Sequence, residues 1–112
     1  MARSADATDW ARIVALYQRL AAVNPSPVIE LNRAVAVGMA QGPAEALPIV
    51  ERLADLPALQ RYHLLPTVHG DLLFKLGRLD EAARQFEHAA SLTQNAREKR
   101  LLLDRAQACS PQ

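Results

Sequence analysis

The feature that most constrains the fold is a helical period of apolar residues, interrupted at short intervals by Pro, Gly and capping residues. The period is clearest between Leu79 and Leu92, where apolar residues follow the three-and-four spacing of one helix face: Leu79, Ala82, Ala83, Phe86, Ala89 and Ala90. Aromatic residues make up only 4% of the chain, and strands draw on aromatic and β-branched residues. We therefore predict an all-α fold.

The punctuation divides the chain into about six helices. Thr8 or Asp9 can cap the first helix, and Ser26 can cap the second with Pro27 at its first position and Glu30 near the place of a capping-box partner. The predicted helices span 8–23, 27–40, 44–54, 59–76, 79–92 and 96–108.

The fourth of these helices contains Pro66, which predicts either a kink or a late start near that residue. Gly77 is expected to end the same helix as its C′ residue.

Length and composition narrow the function classes. With 112 residues, the chain is expected to form one domain over 8–109, with flexible ends at 1–7 and 110–112. A net charge of +1 argues against direct nucleic-acid contact.

No apolar run approaches the ~20 residues of a membrane-spanning helix, and Met1 to Thr8 contains no apolar signal region. Cys109 is the only cysteine, which excludes an intrachain disulfide. We expect a cytoplasmic protein.

The segment 70–89 closely resembles a tetratricopeptide repeat, in which small and large residues alternate so that two helices approach closely. Gly70, Ala82 and Ala89 stand at the small positions, Phe86 at the large one, and Gly77 in the turn. A weaker copy lies 36 residues upstream and aligns four pairs: Ala34 with Gly70, Val37 with Leu73, Ala46 with Ala82 and Val50 with Phe86.

The chain departs from the repeat pattern at two places. Gln94 stands where proline is usual, and Pro66 where a large aromatic residue is usual. The resemblance still implies antiparallel helix pairs stacked as a short, tetratricopeptide-like right-handed superhelix. It would consist of a half repeat, two full repeats and a capping helix.

Several strings are similar to one family, the C-terminal extension of certain bacterial extracytoplasmic-function (ECF) sigma factors. They are 8–17, 25–28, 31–37 and 61–65, and the resemblance covers nearly the whole chain. It implies a regulatory domain that acts in transcription initiation through contacts with the sigma domains, RNA polymerase or a regulatory protein. Nothing in the chain resembles the promoter-reading helices, so it would be either an excised domain or a short reading frame derived from one.

Two other functions compete with this interpretation. One is a free-standing tetratricopeptide adaptor that binds a peptide or protein. The other is a small enzyme or ligand-binding protein that uses the region from His63 to Asp71. Helical residues two apart, such as His69 and Asp71, point about 200° away from each other, which does not suit a shared metal. We predict no enzymatic activity, no cofactor and no metal.

Two polar residues interrupt the most apolar helix, where an unpaired polar group would cost several kcal/mol. Either Arg33 bridges backbone carbonyls or an acid between repeats and Asn32 caps a neighbouring turn, or both face a partner. Tyr62 suits either a helix junction or an interface.

The first helix of each tetratricopeptide repeat lines the concave face, which predicts a partner surface. We expect the first helix of the chain to cover most of Val28 and Leu31. Four other side chains are expected to stay accessible to the partner: Met39, Asp71, Phe74 and Lys75.

Overall fold

A computed structural model describes residues 8–109, and the predicted flexible ends lie outside the described residues. Within this range the chain is all-helical, as predicted. Its six α-helices are α1 Trp10–Val23, α2 Pro27–Gln41, α3 Pro43–Ala54, α4 Leu64–Lys75, α5 Leu79–Leu92 and α6 Ala96–Ala108, with a short 3-10 helix at Pro57–Leu59. Consecutive helices pack against each other as adjacent pairs, because four of the five connections have only one to three residues.

Side-chain caps begin only some of the helices. Asp9 caps α1 by accepting a hydrogen bond from the Arg12 backbone N–H at 3.1 Å, and Asn95 caps α6 in the same way. Ser26 occupies the N-cap position of α2 without a side-chain cap bond. The predicted capping-box role of Glu30 is wrong, because its carboxylate binds the Arg33 guanidinium through two hydrogen bonds of 2.8 Å.

This difference between two N-cap residues gives a stability prediction. Asp9→Ala should lower the free energy of unfolding by about 1 kcal/mol, because one backbone donor loses its acceptor. Ser26→Ala should change it by less than about 0.5 kcal/mol, because no cap bond is lost. Urea unfolding followed by circular dichroism measures both. Equal losses in the two variants would contradict the assignment of the caps.

Helix α4 starts late, which decides between the two sequence-based alternatives for Pro66. The helix begins at Leu64, so Pro66 lies in its first turn, where a missing N–H breaks no intrahelical bond. At its other end Gly77 adopts a φ of +79°. The Gly77 and Arg78 N–H groups donate to the carbonyls of Phe74 and Leu73, at 3.0 and 2.9 Å, which is a Schellman C-cap.

The connection between α2 and α3 is a single residue. Gly42 has a φ of +103°, a conformation that favours glycine, and Pro43 then occupies the first position of α3. Helix α3 continues through Pro48, which the short segment tolerates although it removes one backbone donor. The tight connection brings α3 back along α2.

The predicted small-to-large contact is present in the core. Phe86 is fully buried, and a Cβ atom built on Gly70 would lie 2.8 Å from its Cε1 atom. The absence of a side chain at Gly70 is therefore what lets the Phe86 ring approach α4. All four residues of the aligned upstream segment are also buried: Ala34, Val37, Ala46 and Val50. The spacing that suggested the repeat thus corresponds to positions in the core.

The even-numbered helices share one face of the molecule. Helix α2 contacts α4, and α4 is joined to α6 by an ion pair between Asp71 and Arg105. This face carries the candidate site described next. None of the helices in residues 8–109 combines the length and apolar character needed to cross a bilayer.

Candidate interaction groove

A groove of about 330 Å³ lies between α2 and α4. Its α2 wall includes Val35 and Met39, whose side chains are 39% and 50% exposed. Its α4 wall includes Thr67, Asp71 and Lys75. A second cavity of about 230 Å³ lies between α4 and α6 and is lined by His63, Leu64, Thr67, Glu98, Leu101, Leu102 and Arg105. Thr67 and Arg105 line both cavities, so the two cavities adjoin each other, and we call them together the groove.

A charged cluster lies at the end of the groove that α2 and α4 form, and its Arg105 also lines the cavity between α4 and α6. Asp71 receives a hydrogen bond on each carboxylate oxygen, from Arg105 Nη2 at 2.8 Å and from Lys75 Nζ at 3.0 Å. The Arg105 guanidinium also lies 4.3 Å from the centre of the Phe86 ring, a cation–π contact. The Arg105 guanidinium therefore contacts both the buried Phe86 ring and the Asp71 carboxylate.

The cluster perturbs the Asp71 carboxyl. Partial burial raises its pKa, but the hydrogen bonds from Arg105 and Lys75 lower it, and the net pKa lies below the ordinary value. A carboxyl whose pKa is lowered in the folded state stabilises the fold above its unfolded pKa of about 3.9, and this stabilisation is lost as the pH falls through the folded value.

This shift predicts a difference in acid stability. Between about pH 4 and pH 2, the parent should lose more free energy of unfolding than Asp71→Asn, because the amide has no proton to gain. Urea midpoints measured at several pH values test this. Parallel curves for the two proteins would show that the Asp71 ion pairs contribute nothing to folding.

The structure brings together three of the predicted partner-binding residues. Met39, Asp71 and Lys75 line the groove. Phe74 is 43% exposed on the same helix, but it is not among the lining residues. Asn32 is exposed and lies on the α2 face that carries Val35, since residues three apart on a helix are neighbours.

Two other predicted partner-binding residues, Arg33 and Tyr62, are half-buried and make contacts within the chain. Arg33 pairs with Glu30 on its own helix, so it does not bridge two repeats as suggested. Tyr62 packs against the core and contacts the His63 ring edge to face. No polar or charged side chain in residues 8–109 is buried, so Asn32 and Arg33 avoid the desolvation cost that drew attention to them.

The predicted cover of α2 by the first helix is only half correct. Leu31 is buried with 3% exposure, but Val28 remains 40% exposed. Val28 therefore belongs to the same exposed apolar stripe as Val35 and Met39, at the i, i+7 and i+11 positions of one helix face.

Sequence reasoning missed the contribution of α6 to the site. Arg105 is 34 residues from Asp71 in the chain, and no local pattern connects them. Glu98 also reaches the groove, where its carboxylate accepts from Thr93 Oγ1 at 2.8 Å and lies 3.3 Å from His63 Nε2. The charges of α6 alternate in sign, a pattern that is typical of a solvated helix face.

The histidine region does not converge on one point. His69 lines a small cavity with Gln85 and His88, whereas Asp71 faces the groove. Burial lowers the pKa of His69, which favours its neutral form. Among residues 8–109, no three His, Cys, Asp or Glu side chains are placed to hold one metal ion.

The chain is similar in sequence to part of a longer protein. The chain is 46% identical over 91 residues to an uncharacterized protein of Rhizobium meliloti (strain 1021). The match covers 81% of this chain and 21% of the relative, so the chain spans about a fifth of the length of that protein. No family model and no solved structure matches the chain.

Proposed function

We propose that this domain is a protein-interaction module of the tetratricopeptide type that regulates an ECF sigma factor in transcription initiation. The main observation in support of this proposal is the exposed apolar wall of the groove. Val35 and Met39 stand in a concave surface beside a fixed charged cluster, and exposed apolar patches of this kind mark interaction sites. The partners proposed are the sigma domains, RNA polymerase or a regulatory protein.

Two further observations support an action within a larger assembly. The relative is about five times longer than the segment it shares with this chain. Helix α1 exposes three apolar side chains on one face, Leu16, Leu20 and Val23, at 54%, 46% and 84%. The sigma-factor assignment itself comes from the sequence strings that resemble that family.

The test is binding to the two sigma domains of an ECF sigma factor that carries a similar extension. The chain and the separately purified sigma domains are mixed and run on size exclusion with light scattering. We expect a 1:1 complex that Met39→Asp weakens by about tenfold, since a buried unpaired charge costs more than 1.4 kcal/mol. Leu103→Asp is the matched control, because Leu103 is 45% exposed on α6 and does not line the groove.

Separate elution of the two proteins at micromolar concentration would reject the sigma-factor assignment. Equal weakening by Met39→Asp and Leu103→Asp would keep that assignment and reject the groove as the contact surface. Binding of short peptides without binding of sigma domains would support the free-standing adaptor instead.

A further inference from the structure

The groove has a defined length. It follows α4 from His63 to Lys75, and twelve helical steps of 1.5 Å give about 18 Å. That length accommodates roughly five or six extended residues, or about three turns of a helix. The groove therefore fits a short segment of a partner and not a broad, flat surface.

The charges in the groove are uneven. Lys75 and Arg105 share the single carboxylate of Asp71, which leaves one surplus positive charge at this end. The Lys75 and Arg105 side chains remain 48% and 42% exposed, so N–H groups that do not contact Asp71 can donate to an incoming carboxylate. At the other end Glu98 is engaged by His63 and Thr93. An incoming acidic group is thus favoured at the end formed by α2 and α4.

Exposed apolar side chains flank the charged cluster on both sides. Val35 and Met39 lie on the α2 side, and Leu64 and Leu101, which are 40% and 58% exposed, lie on the α6 side. A partner segment with apolar side chains on both sides of its acidic residue would cover both sets.

We propose that the groove binds a short partner segment in which one acidic side chain, received by Lys75 and Arg105, stands between two apolar anchors. This proposal rests on the proposed function and specifies the chemistry of its partner. The acidic residue determines the register of the segment, since only one end of the groove has a cation surplus. The apolar anchors of the segment contribute to binding because they cover the exposed apolar side chains of the groove.

The test is an unbiased selection with a random dodecapeptide phage library on the immobilised parent protein. We expect enriched peptides with one Asp or Glu between apolar residues. The best peptide, labelled with fluorescein, is then titrated by anisotropy. Lys75→Glu should weaken binding about tenfold, because attraction becomes repulsion. Lys99→Glu is the matched control, since Lys99 lies on α6 outside the groove, and it should change the affinity less than about twofold.

A charge exchange completes the test. When the acidic residue of the selected peptide is replaced by Lys, the peptide should bind the Lys75→Glu variant better than the parent. The proposal is overturned if no peptide is enriched, if enriched peptides lack an acidic residue, or if Lys75→Glu and Lys99→Glu have equal effects. Each of these results leaves the sigma-domain experiment unaffected, so the two proposals fail separately.

Discussion

Gly70→Ala is expected to lower the free energy of unfolding by about 1–3 kcal/mol, the usual cost of overpacking a core. The new Cβ atom would lie 2.8 and 2.9 Å from the Cε1 and Cδ1 atoms of Phe86. That ring is fully buried and lies 4.3 Å from the Arg105 guanidinium, so it can move away from α4 only by displacing its neighbours. Alanine favours a helix over glycine by about 1 kcal/mol, and the steric overlap is expected to exceed this gain. Gly70→Leu should abolish the cooperative melt.

Gly38→Ala provides the matched control, because Gly38 also lies inside a helix, α2, which shares one face of the molecule with α4. Its Cβ would meet Ala46 Cβ and Leu72 Cδ2 at 3.4 Å, which is ordinary contact. Because alanine has a higher helix propensity than glycine, Gly38→Ala should leave the free energy of unfolding unchanged or raise it by up to about 1 kcal/mol. Urea unfolding of both variants checks this. If Gly70→Ala is as stable as Gly38→Ala, the close contact between α4 and α5 does not exist.

Local sequence patterns predicted the six helices, although α4 begins at Leu64 and not near Leu59, where a separate 3-10 helix ends. The bounds of α5 follow from its apolar period, without a side-chain cap, and α6 begins after the N-cap residue Asn95. The contact between Gly70 and Phe86 followed from the spacing of small and large residues across the Gly77 turn. The capping role of Glu30 failed because Arg33, three residues away, offers its carboxylate a charged partner. A charge-assisted pair of this kind is stronger than a neutral cap bond.

The candidate site was harder to predict because its residues come together only through packing. Met39, Asp71 and Lys75 were found, since each lies on the exposed face of its own helix. Arg105 was not, because its position depends on how α6 packs on α5. Phe74 was predicted on the correct helix, but the groove runs along another side of α4. Phe74 is therefore not among the residues that line it.

Truncation of the two phenylalanines of the chain should lower the free energy of unfolding by very different amounts. This difference separates an effect on folding from an effect on binding. Phe86→Ala should lower the free energy of unfolding by about 3–5 kcal/mol, because the ring is fully buried and Arg105 loses its contact. A domain of this size is stable by about 5–15 kcal/mol, so this variant should melt far below the parent. Phe74→Ala, at a 43% exposed position, should cost about 1 kcal/mol or less. Thermal melts by circular dichroism compare them.

Phe74→Ala, compared with Met39→Asp, also tests the position of the proposed partner surface. Phe74→Ala should retain the proposed complex with the sigma domains, since Phe74 does not line the groove. Met39→Asp should weaken that complex about tenfold while remaining folded. Titration of each folded variant by calorimetry measures the affinity. Loss of binding in Phe74→Ala with an unchanged melt would move the contact surface to the side of α4 that carries Phe74. In that case Lys75 would contact the partner from the edge of that surface, and the groove would have a structural role only.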